Sequence, residues 1–260
     1  MRMWKPFFIL FVLLLASPAG AQTAEDVRGL LTAGDYDSAH SVGVELGTAK
    51  GYALATEGLN AKILLGEVDK LNKHSKQARD LAEKALELNP NLYEAKLQYA
   101  LADGFVTRTS NDLTALRKKL PKKTLVIIQD FRTAFPNDAR GMALEGAWHL
   151  GILRKIGEKN GGKWFGASLA EGERLYGQAR AVAPNDVLIE TNYALSLIVL
   201  DVETYGPQVK PVLEAVATMP ANDDLYRKVQ NKAATVLAAY GDDKKVDKLA
   251  GRFLDGKALE

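Results

Sequence analysis

The chain has 260 residues, a quarter of them charged and 47% hydrophobic, with 34 lysines and arginines against 32 acids, three histidines and no cysteine. Such a composition can build a sizeable core, leaves disulfides out of its stability and disfavours a zinc site. The near-neutral balance lacks the basic face that phosphates demand, so no nucleic-acid partner is expected.

Residues 1–21 read as a secretory signal peptide. Arg2 and Lys5 open it, Phe7 to Ala16 form an unbroken apolar run, and Ala19-Gly20-Ala21 has the small-residue form of a cleavage site. The run is short for a membrane span, which takes ~20 residues. Cleavage after Ala21 removes two cations and no acid, leaving a neutral mature domain, 22–260. With no cysteine to carry a lipid, the expectation is a soluble periplasmic protein with no stable membrane span once the signal is gone.

The mature chain reads as all-α. Glu25 to Ala33 form a first helix, Gly34-Asp35-Tyr36-Asp37 a turn, residues 36–49 a second helix and Tyr52 to Leu65 a third. A polar connection fills the stretch between Gly66 and Ala78. From Ala78 to Leu88, Ala78, Ala82 and Ala85 put small side chains on one helical face. Asn89-Pro90-Asn91 stops that helix, since proline lacks an N–H and disfavours the helical region for the residue before it. The next helix carries Ala95, Tyr99 and Ala102. Residues 107–112 read as a loop, Leu113 to Lys119 as a basic amphipathic piece, and Lys122 to Ala134 as an apolar helix in which Val126-Ile127-Ile128 is helical despite its strand propensity. Residues 157–166 form a mobile loop around Gly161-Gly162, whose Trp164 and Phe165 either pin it to the body or form a ligand-contacting lip. Helices then run from Gln208 to Thr218, Asp223 to Tyr240 and Lys244 to Leu254, the last a polar piece that closes an end of the fold.

The punctuation repeats. Pro90, Pro136 and Pro184, each flanked by Asn or Asp, fall 46 and 48 residues apart. The Gly-Asp-Tyr-x-x-Ala run at 34–39 and the pairs Tyr99-Ala100 and Tyr193-Ala194 resemble tetratricopeptide repeats, whose period is ~34 residues. Phe131 and Glu145-Gly146 depart from that pattern in the middle copy, and inserts fall at 104–121 and 155–166. The resemblance implies a right-handed α-α superhelix, a helical-repeat solenoid with irregular repeats, in one domain. It also implies a concave wall lined by Glu94, Leu97 and Leu101, by Arg140, Ala143 and Ala147, and by Leu188, Thr191 and Leu195.

Such a wall implies an exported scaffold that holds another envelope protein or peptide. The chain is also similar to the tetratricopeptide-like component of tripartite transport systems, which implies an accessory of periplasmic solute transport with a small hydrophobic ligand or a binding-protein partner. No catalytic residue, cofactor or metal is expected. Ser168 lies outside a nucleophile elbow, and His40, His74 and His149 are far apart. The lysines around 117–123 read as a solvated face or an attraction for anionic lipid or an acidic partner.

Overall fold

The structure is a computed structural model describing residues 22–259; the predicted signal peptide, 1–21, lies outside the described residues. Among these, thirteen α-helices and no strand are found. They follow one another as hairpins: α1 (Ala24–Ala33) with α2 (Tyr36–Glu45), α3 (Ala49–Leu64) with α4 (Leu71–Leu88), and α5 (Tyr93–Thr109) with α7 (Leu120–Ala134), the short α6 (Asp112–Arg117) lying between the last two. Then come α8 (Ala139–Phe165) with α9 (Leu169–Val182), α10 (Val187–Ile198) with α11 (Val202–Val216), and α12 (Asp224–Leu237) with α13 (Asp243–Leu254).

Short polar caps set these boundaries. Gly34 takes the left-handed conformation (φ 83°) that ends α1, and the Asp35 side chain then accepts from Ser38 N–H to start α2. The Pro-Asn-Asp runs end in helix caps: Asp138 accepts from Gly141 N–H, and Asp186 from Leu188 and Ile189 N–H. The first copy differs, because α5 starts after Leu92 with no side-chain cap. Ala78, Ala82 and Ala85 are fully buried, and α4 packs closely on both α3 and α5.

The first members of the hairpins also touch in succession. α1 meets α3, α3 meets α5, α5 meets α8, α8 meets α10 and α10 meets α12. The succession returns on itself, because α12 meets α1; beside that contact, Tyr36 at the start of α2 donates to Asp224 Oδ2 at 3.2 Å, and Lys228 pairs with Glu67, just after α3, at 3.0 Å. One apolar cluster accordingly joins Val27 and Leu31 of α1 to Leu54 of α3, Leu195 of α10, Val229 of α12 and Phe253 of α13.

Several expected boundaries move. Most of the polar connection between Gly66 and Ala78 is helical, since Leu71, Ser75 and Ala78 share a face with the core and Ser75 Oγ donates back to Leu71 O at 2.8 Å. The supposed mobile loop at 157–166 is the end of α8, broken once at Gly157 (φ 75°). Gly161 there is buried, and an added Cβ would stand 2.8 Å from Leu153. α11 starts at Val202, capped by Asp201, so Pro207 and Pro211 sit inside it on its exposed side, where freed carbonyls meet water. The final helix is not a polar lid: Val246, Leu249, Ala250, Phe253 and Leu254 are buried against the body.

Candidate binding surface

Three of the first-member helices carry side chains seven residues apart, two helical turns, and so on one face. α3 carries Lys50, Glu57 and Leu64; α5 carries Glu94, Leu101 and Arg108; α8 carries Arg140, Ala147 and Arg154. Arg108 and Arg140 are exposed, while neighbouring protein groups desolvate both guanidiniums; this shared face is the candidate wall.

At one level of this wall the charges interlock. Lys50 donates to Glu94 Oε1, and Arg28 of α1 lies 3.5 Å from the same oxygen. Burial works against the Glu94 carboxylate, yet the Lys50 bond holds its pKa below the usual value. The Arg140 guanidinium lies beside the Tyr226 hydroxyl, which donates to Asp186 Oδ2 at 2.8 Å; Tyr93 donates to Asp138 Oδ2 at 2.9 Å. Burial, helped by those carboxylates, pushes Tyr93 and Tyr226 up to about 12. Glu57 faces Arg140 and Arg28, and burial raises its pKa against their pull.

At the other level the last turn of α13 closes in. Arg108 donates to Leu254 O, a cation at a helix C-terminus, where the backbone dipole favours it. Arg154 pairs with Asp255 at 2.9 Å. Desolvation lowers the Arg108 pKa.

The residues expected on the wall divide. Glu94 and Leu101 are half-buried and Arg140 is exposed. Ala143, Ala147 and Leu188 are half-buried and pack against the main apolar cluster. Leu97 (2% exposed), Thr191 and Leu195 (both 0%) are inside the body, because the succession of helices turns tightly enough to pack those faces against neighbours. Thr191 Oγ1 is buried without a hydrogen-bond partner. Trp164 and Phe165 lie elsewhere, in a cleft of about 270 Å³ shared with Ala115, Lys119, Pro121 and Lys122.

Arg28, Lys50, Glu57, Arg108 and Arg154 were missed in the sequence, although charges seven residues apart on α3 (Lys50, Glu57) and fourteen apart on α5 (Glu94, Arg108) and α8 (Arg140, Arg154) mark most of them. The histidines have structural partners. His149 Nδ1 accepts from Ser168 N–H at 3.2 Å, while His40 Nδ1 lies 3.3 Å from Ala55 O and His74 Nδ1 3.0 Å from Lys70 O. Among the described residues no helix is long and apolar enough to cross a membrane. No known family model matches the chain, and no curated protein matches it.

Proposed function

We propose that this chain is an exported, tetratricopeptide-like binding protein of the cell envelope, a right-handed superhelix of irregular hairpins that holds another envelope protein or peptide along its concave wall. The observation that supports this reading is the seven-residue alignment of solvent-reached side chains on α3, α5 and α8, with Lys50, Glu57, Glu94 and Arg140 forming one charged group and the half-buried Leu101 two turns beyond Glu94. Alternating charges around a half-buried leucine suit an extended polypeptide, whose backbone and side chains supply both hydrogen-bonding groups and apolar contacts. They suit a small hydrophobic ligand less well, because Leu97 and Leu195 are withdrawn into the core.

The test is a photo-crosslinking comparison in the producing cell. A benzophenone amino acid replaces Leu101 on the wall or Leu88, which is 58% exposed on α4. A discrete protein adduct is expected at Leu101 and none at Leu88. Adducts at Leu88 alone would overturn the assignment to the concave wall.

A further inference from the structure

The corner where α6, α7 and the end of α8 meet combines two features that the wall does not use. The first is charge. Residues 117–123 hold Arg117, Lys118, Lys119, Lys122 and Lys123 with no acid among them, and all five are exposed. The second is apolar exposure: Leu113 is 78% exposed, Val126 64% and Trp164 50%. Val126 stands one turn beyond Lys122 on α7, and Lys122 lines the same cleft as Trp164.

The backbone brings the two features together. Lys119 adopts a left-handed conformation (φ 54°), which a residue with a Cβ takes only when its surroundings hold it there. That sharp turn from α6 into α7 sets Lys119 and Lys122 in the cleft with Trp164 and Phe165, and the Lys122 ammonium stands 6.0 Å from the centre of the Phe165 ring. Trp148 fixes the far side by donating from Nε1 to Pro121 O at 2.9 Å. The result is an anchored platform with apolar tips among flexible cationic stems.

We infer that this corner docks on an anionic phospholipid surface. Lysine and arginine bring ammonium and guanidinium groups to the phosphate level, while half-exposed tryptophan and aliphatic side chains enter the headgroup boundary, where a ring with one polar edge is favoured. An acidic protein would satisfy the cations but leave Leu113, Val126 and Trp164 in water. Docking here is peripheral and leaves the concave wall facing its own partner.

The experiment is co-sedimentation of the full chain with vesicles of pure phosphatidylcholine, or of phosphatidylcholine with 30% phosphatidylglycerol. Every variant keeps residues 1–21, so any binding by that segment is common to all of them. Each cation near an anionic surface contributes a factor of about five to the partition constant. Lys119→Glu with Lys122→Glu is therefore expected to weaken binding to the anionic vesicles by about 25-fold or more. Arg117→Glu with Lys118→Glu, which leaves the strained Lys119 unchanged, should do the same while circular dichroism stays helical. Trp164→Ser should weaken binding with all charges intact, and raised salt should abolish the preference for phosphatidylglycerol. Equal binding to both vesicles, or folded variants that bind like the parent chain, would overturn the inference. So would capture of polyglutamate by a chain that leaves vesicles unbound.

Discussion

Asp138 and Asp186 each do two jobs with one carboxylate. One oxygen caps a helix, through Gly141 N–H or through Leu188 and Ile189 N–H, and the other accepts from a tyrosine on a neighbouring hairpin, Tyr93 or Tyr226. Losing the cap alone costs about 1 kcal/mol, and stranding a half-buried hydroxyl adds ~1 kcal/mol. Asp186→Ala should thus lower the unfolding free energy by about 2 kcal/mol in urea titration. Asp186→Asn keeps one acceptor oxygen for the cap and turns an NH2 toward the tyrosine, so it should lose less; no loss at all in Asp186→Asn would mean that the tyrosine bond contributes nothing. His149 carries the clearest pH dependence at this scale. It is buried with Nδ1 accepting from Ser168, and desolvation holds its pKa below the ordinary value of 6.5. The unfolded chain then binds the proton more readily, so stability is full above pH 6.5 and falls as pH drops below it. Comparing melting temperature at pH 7.5 and 5.5, the drop should be smaller in His149→Asn than in the parent chain.

The elements owe their contacts to small residues, and here the sequence was most legible. Ala78, Ala82 and Ala85 recur at helical spacing and are buried as that spacing implies, because an alanine face admits a second helix at close range. Ala85→Leu should overpack the contact with α3 and α5 at a cost of about 1–3 kcal/mol, read as a shift in urea midpoint with unchanged slope. Glu145-Gly146, which breaks the repeat pattern, has a packing reason. A Cβ at Gly146 would stand 2.9 Å from Tyr176, a fully buried ring, while Glu145 pairs with Arg132 across the α7–α8 turn. Gly146→Ala should therefore destabilise although alanine is the better helix former. Local composition was a poorer guide at 157–166. Two adjacent glycines read as freedom when taken alone, but Gly161 is glycine because Leu153 occupies the space beside it.

At the scale of the whole molecule, the return of α12 to α1 and the seating of α13 were not legible, because both depend on how small rotations accumulate over six hairpins. No residue pattern in one helix records that sum. It is also why one register gave mixed results: Glu94 and Leu101 are half-buried and Arg140 is exposed, while Leu97 and Leu195, assigned by the same register, are packed inside the body. The last helix is integral to the body. Burying Val246, Leu249, Phe253 and Leu254 is worth about 2 kcal/mol each, together on the order of the 5–15 kcal/mol that separates folded from unfolded chains. A chain ending at Asp242 should lose its cooperative melting transition; one that melts as the parent does would show that α13 is dispensable.

The most direct test of the concave wall is Leu101→Asp, with Leu195→Asp beside it. Leu101 is half-buried at the wall and Leu195 fully buried in the core. A carboxylate in the core has no water and no counter-charge, so Leu195→Asp should unfold the chain. Leu101→Asp should keep the helical circular dichroism of the parent and lose the protein that crosslinks at the wall. A folded Leu101→Asp chain that still captures that protein with parental affinity would contradict the concave wall as its binding surface.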